Sequence, residues 1–282
     1  MKKPQFIVVL IAIALISGLY FFAPRNKKAD AATMATTTEN QEVTSKSVLE
    51  GAKLNLPADQ KLSLLSIENQ LDNKSSVADS IRVYRELSKF WADSAHKMGP
   101  YLYYTYSTAL LESSEKSLTF AAQQLVDNLT DPEAPPAFLK WMAGNAKVLL
   151  DKALVINPNN DSAKINLGAC YLFGNISDNP MQGILKIKEV VDKNPHNIYG
   201  QMILALGGKK SGQNEKAIER FLLILQDEPS NIEALVHLAE CYELTNQKPL
   251  ALESYQKVKL SNKIKSKAFN DAIDKRIQQL KK

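Results

Sequence analysis

A chain of 282 residues with 45% hydrophobic and 23% charged residues is long enough for one or two domains and too apolar to remain disordered. Its 11 glycines are few for a fold rich in tight turns, which argues against an all-β or α/β architecture. The net charge of +5 divides into basic ends and an acidic body, with 21 bases and 28 acids between residues 29 and 256, and so excludes a continuous basic surface for nucleic acid.

Residues 1–5 form a short N-terminal tail. Residues 6–23, FIVVLIAIALISGLYFFA, are 18 residues without a charge. As a helix rising about 1.5 Å per residue they span roughly 27 Å, close to the hydrocarbon thickness of a bilayer. A cleaved signal peptide is the competing reading. Its apolar region is about 7–15 residues and leads directly into a small-residue cleavage site. Here Pro24, Arg25, Lys27 and Lys28 intervene before Ala29-Asp30-Ala31. An uncleaved transmembrane signal-anchor over 6–23 is the expectation. The positive-inside count on its two sides is nearly tied. The Met-Lys-Lys start resembles a bacterial signal-anchor, which implies a single pass through a bacterial inner membrane with the soluble part periplasmic. Residues 24–47, rich in Ala and Thr and without aromatics, read as a flexible linker.

From residue 48 onward apolar residues recur at i, i+3, i+4 and i+7, the helical period. The breaks DPEAPP, NPNND, KNPHN and DEPSN carry turn chemistry. A leading helix falls near 58–72, followed by helices near 76–94, with Leu87 and Trp91, and near 102–114. Others follow at 115–129, with Phe120, and at 137–157. Ala146, Leu150, Ala153 and Pro158 then open a recurring pattern. Gly183, Ile187, Val190 and Pro195 repeat its spacing, as do Ala217, Phe221, Ile224 and Pro229; Ala251, Tyr255 and Val258 do so without the proline. The preceding segments agree among themselves: Leu167, Gly168 and Tyr171 match Leu238, Ala239 and Tyr242, and LALGG matches with Gly208 in the tyrosine slot. The prolines stand 37 and then 34 residues apart, the extra three lying in FGNISDNPMQ.

This pattern resembles the tetratricopeptide repeat, a helix–turn–helix unit of about 34 residues. The resemblance is strong over 137–262 and degenerate over 48–136. It implies an all-α fold, a right-handed superhelix (α-solenoid) of five helix hairpins behind the transmembrane helix. Residues 263–282 would form a capping helix, with Ile264, Ala268, Ile273, Ile277 and Leu280 on one stripe. The resemblance assigns Gly168, Ala217, Ala239 and Ala251 to close helix contacts. Tyr171, Phe221, Tyr242 and Tyr255 would fill the remaining space, and Pro229 would end a helix. In the family, the first helix of each hairpin lines the concave surface. Carried over, that gives Ile165, Ala169, Met202, Leu206, Val236 and Glu240 as a candidate peptide-binding groove. The Lys and Asn set with which chaperone-binding members hold a carboxylate does not occur here. An apolar strip with Glu233, Glu240 and Glu243 at one end suits a protein partner, a peptide or amphipathic helix. The same strip also suits cover by the protein's own helices, and both readings stand.

No catalytic constellation emerges. His96, His196 and His237 are scattered, and His237 with Cys241, four apart, supplies two ligands where zinc takes four. Cys170 and Cys241 hold equivalent slots two repeats apart, too distant for a disulfide. Phosphate loops, Gly-x-Ser-x-Gly and dinucleotide turns do not occur. The tyrosines of GPYLYYTYS, Tyr101, Tyr103, Tyr104 and Tyr106, look like an aromatic binding box, but their helical spacing favours core packing. The expectation is a non-catalytic, membrane-anchored scaffold or adaptor in cell-envelope assembly or secretion. It needs no metal, cofactor, nucleic acid or small-molecule substrate. The alternative is an accessory subunit that positions a catalytic or transport partner. If residues 6–23 anchor the chain, protein purified from membranes retains Met1 and needs detergent for extraction. N-terminal sequencing checks this, and a mature start near Ala31 or Ala32 refutes it.

Overall fold

The computed structural model describes residues 42–72, 76–261 and 266–282. The expected signal-anchor over 6–23 and most of the linker lie outside the described residues. Among those described there are 13 α-helices and no strand, and no helix is long and apolar enough to cross a membrane.

Helix α1 (Ser45–Leu54) begins inside the segment expected to be linker. Its start is fixed by a reciprocal cap: Ser47 N–H donates to Thr44 Oγ1 at 3.1 Å, and Thr44 N–H donates to Ser47 Oγ at 3.0 Å. Helix α2 (Ala58–Asp72) follows. Five hairpins come next: α3 (Val77–Lys89) with α4 (Met98–Glu112), α5 (Glu115–Val126) with α6 (Pro136–Ile156), and α7 (Asp161–Phe173) with α8 (Met181–Val191). The last two are α9 (Ile198–Lys210) with α10 (Asn214–Asp227), and α11 (Ile232–Leu244) with α12 (Lys248–Ser261). Helix α13 (Lys267–Leu280) closes the array.

One local device punctuates the repeats. Each Pro-x-Asn turn ends one hairpin and starts the next. The proline cannot continue the preceding helix. The Asn side chain, two residues on, then caps the following one. Asn160 accepts from Ala163 N–H at 2.8 Å, Asn197 from Gly200 N–H at 2.8 Å, and Asn231 from Ala234 N–H at 2.9 Å. Pro229 is accordingly exposed in its turn.

Within hairpins, small residues set the distance. Helices α7 and α8 cross backbone to backbone at Gly168 and Gly183. A Cβ on Gly168 would lie 2.7 Å from Gly183 O, and one on Gly183 would lie 2.5 Å from Gly168 O. In the next two hairpins Ala217, Ala239 and Ala251 are fully buried. Phe221, Tyr242 and Tyr255 are buried beside them and Tyr171 is partly buried. At the far end Ile273 and Ile277 of α13 pack with Leu235, Tyr255 and Val258. Ala268, expected on this stripe, is exposed, and Phe269 packs in its stead; Leu280 is partly buried. Gly168→Leu should destabilise the array by about 1–3 kcal/mol through overpacking. Its neighbour is backbone, which yields less than a side chain, so its melting point should fall further than that of Ala217→Leu. Tolerance of both in thermal melts would show that the repeat register is wrong.

Candidate partner-binding surface

The first helices α5, α7, α9 and α11 lie side by side, and the six expected groove residues fall on the last three. Ile165, Ala169 and Met202 are buried, whereas Leu206, Val236 and Glu240 are partly exposed. Ile165, Ala169 and Met202 therefore offer little surface to a partner here, while Leu206, Val236 and Glu240 offer some. Met202 is packed with Ala217 and Phe221 of α10, and beside Ile165 the face is closed by bonds between first helices. Asn166, without exposed surface, donates from Nδ2 to Gln123 Oε1 of α5 at 2.7 Å. Tyr199 OH of α9 donates to Asn166 Oδ1 at 2.6 Å, and Gln123 Nε2 donates to Tyr199 OH at 3.2 Å. This closed triangle ties three hairpins together. Burial pushes the Tyr199 phenol up to about 12, so it remains a donor at neutral pH.

A charged clasp joins α9 to α11. Lys209 Nζ bonds Glu240 Oε2 and approaches His237 Nδ1 at 3.1 Å, while His237 Nδ1 lies 2.9 Å from Glu240 Oε2. The His237 ring stacks on Phe221 with centroids 5.9 Å apart. Glu240 is thus held by the chain's own Lys209 and His237. Glu243 is likewise engaged, accepting from Arg276 Nε at 2.7 Å and from Tyr255 OH at 2.8 Å; Glu233 remains exposed. Burial opposes the Glu240 charge, but hydrogen bonds from His237 and Lys209 outweigh it and hold the carboxyl down at about 2. Lys209 was invisible as a partner in the sequence because it stands 31 residues away.

Cys170 and Cys241 are free and buried, and burial pushes their thiols up to about 12 and about 11. His196 pairs with Asp227 at 2.9 Å, and His96 Nδ1 lies 3.0 Å from Ala92 O. Among the described residues no three His, Cys, Asp or Glu side chains group as metal ligands.

The open surface lies upstream, beside the GPYLYYTYS stretch, whose Tyr101 and Thr105 are among its lining. Helices α3 and α5 flank a groove of about 480 Å³ floored by α4. Its lining is mainly small and apolar, including Ala92, Ala109 and Ala121, with Thr105 and Thr108 beside them. Phe120 of α5 forms part of the wall and is 59% exposed. At one end Arg85 donates to Glu112 Oε1 at 2.6 Å; at the other stand Lys89 and Asp93. Beneath this groove α3 runs into a π-helical turn, Phe90–Ser94, in which Ala95 N–H reaches Phe90 O at 3.0 Å. The wider turn lets adjacent Phe90 and Trp91 both enter the core, their rings 5.2 Å apart. Tyr101 closes the lower end by donating to Gln124 Oε1 at 3.1 Å, while Tyr104 is buried and Tyr103 and Tyr106 are partly buried.

No protein-family model and no curated protein matches the chain. Among solved structures it is similar to MamA from Desulfovibrio magneticus RS-1, at 21% identity over 66% of this chain and 97% of that one, with a TM-score of 0.43. It is also similar to another MamA structure, at 15% identity over 65% of this chain and 92% of that one, with a TM-score of 0.43. A tetratricopeptide repeat protein from Parabacteroides merdae matches at 13% identity over 73% of this chain and 82% of that one, with a TM-score of 0.39. The five stacked hairpins, with their small-residue crossings and Pro-x-Asn turns, define the class: a tetratricopeptide-like, all-helical repeat protein.

The Glu240 clasp carries a pH signature. Its folded carboxyl is depressed below the ordinary 4.5, so its stabilisation is present above 4.5 and is lost as pH falls towards 2. Glu240→Gln should therefore melt earlier than the parent at pH 7, and the gap should narrow between pH 4.5 and 2. Melts across that range check this; a constant gap would remove the ion pair from the α9–α11 seam.

Proposed function

We propose that this chain is a non-catalytic scaffold or adaptor that holds a protein partner in the groove formed by α3, α4 and α5. The observation that carries this reading is the contrast along the first-helix face. Downstream the helices are joined to one another by side-chain bonds, while upstream an apolar groove with an exposed aromatic wall stands open. Two further observations support a non-catalytic role: each histidine ring meets a group of the chain itself, and both thiols are buried with raised pKa values.

Residues 6–23, in this reading, tether the scaffold to a bacterial inner membrane with the repeats on the periplasmic side, in envelope assembly or secretion. The support for the tether is compositional, 18 uncharged residues followed by bases. An accessory subunit that positions an enzyme or transporter is the second reading, and it uses the same groove. Partly exposed Leu206 and Val236 could extend the contact along the right-handed superhelix that the repeat pattern implies.

A photo-crosslinking residue replacing Phe120 in the full-length chain, in intact cells, tests the scaffold. A discrete protein adduct from this site, and none from the same residue at Leu223 of α10, is the expected outcome. Identifying the adduct as an enzyme or transporter would favour the accessory reading. Adducts at neither site would remove the scaffold.

A further inference from the structure

The groove also carries information about the shape of its occupant. We infer that it receives one amphipathic α-helix of a partner protein, laid along α4 between α3 and α5; this rests on the scaffold reading above.

Three observations lead there. The first is the missing clasp. Side-chain bonds join α5 to α7, α7 to α9 and α9 to α11, but among the described residues no hydrogen bond or ion pair joins α3 to α5. The floor between them is built of Ala92, Thr105, Thr108 and Ala109, and small side chains let a guest helix approach to the usual 8–10 Å between axes.

The second concerns backbone hydrogen bonds. All three walls are helices, so no strand edge is present to pair with an extended peptide. The hydroxyls in the groove are already engaged: Thr105 Oγ1 lies 2.9 Å from Ser88 Oγ, Thr108 Oγ1 donates to Tyr104 O at 2.8 Å, and Ser117 Oγ donates to Ser114 O at 3.1 Å. An extended segment would bury unpaired N–H and C=O groups against apolar surface, at a high cost for each. A helix satisfies those groups internally and presents only side chains.

The third is charge. Lys89, the last residue of α3, and Asp93, in the π-helical turn that follows, are four residues apart, both exposed at the lip and both without a partner among the described residues. A guest helix with an acid and a base four residues apart, beside its apolar stripe, meets both at once. The order of the two reads its direction: acid before base for a helix parallel to α3, base before acid for an antiparallel one. From Arg85 to Asp93 the groove runs for roughly 12 Å, about two helical turns, so the contact uses on the order of eight residues.

The test is selection from a displayed library of random 16-residue peptides against the full-length chain in detergent. Enriched sequences should carry apolar residues at i, i+3 or i+4 and i+7 with an acid on one flank, and should gain helical circular dichroism on binding. Phe120→Glu should weaken them about tenfold, as for a central apolar contact. Lys89→Glu should weaken them about threefold, as for an exposed ion pair, and changing the peptide's acid to lysine should restore that loss. Both positions are exposed, and thermal melts of the two variants against the parent confirm that folding is retained. Enriched peptides that stay extended when bound would overturn the helix. Binding that Phe120→Glu leaves intact would place the site elsewhere, overturning this inference while leaving the scaffold. Failure to enrich any peptide would remove both.

Discussion

Each hairpin can stand only if its two helices approach closely enough to leave no void, and that approach is set by side chains of almost no size. At Gly168 and Gly183 the backbones of α7 and α8 meet with no room for a methyl group. In the following hairpins Ala217, Ala239 and Ala251, all fully buried, stand at the corresponding places. With the axes this near, Phe221, Tyr242 and Tyr255 can fill what remains and reach the next hairpin. A hairpin so built still has an apolar face uncovered, and only a neighbour can bury it. The stack, its cap at Ile273 and Ile277, and the side-by-side array of first helices all descend from that requirement.

Side-by-side first helices create a second question: what lies along their common face. Where polar side chains of adjacent first helices find each other, the face closes. Asn166 does this with Gln123 and Tyr199 on either side, fully buried and fully paired. Lys209, His237 and Glu240 do it with charge. A buried polar network of this kind is stable because each member is satisfied; removal of one leaves the others desolvated and unpaired. Helices α3 and α5 are spanned by α4 alone, and the face between them stays open. The difference between closed and open surface therefore lies both in a few polar side chains and in the backbone, since α3 ends in a π-helical turn and does not lie against α5 as the later first helices lie against one another.

The residues that carry catalytic chemistry elsewhere have local employment here. His196 meets Asp227, His237 meets Glu240 and Lys209, and Cys170 and Cys241 lie in apolar surroundings that disfavour the thiolate. What the surface does present, at Phe120, Lys89 and Asp93, is suited to recognition: apolar area flanked by charge of both signs.

Helix existence, hairpin order and the crossings at Gly168, Ala217, Ala239 and Ala251 were legible in the sequence, because they depend on residues within one repeat and recur from unit to unit. The Asn caps were in view at Asn160, Asn197 and Asn231, although read only as turns. The fate of Ile165, Ala169 and Met202 was not legible. Their repeat positions fix the side of the helix they occupy, but whether that side is covered depends on neighbours distant in sequence, Gly200 beside Ile165 and Ala217 and Phe221 beside Met202. The open groove was hidden for the same reason, since Ala92, Ala109, Phe120 and Ala121 belong to three helices and show no joint period. Periodicity reports which face of a helix is apolar. Only the packed chain decides which neighbour covers it, because that choice is made by side chains meeting across tens of residues.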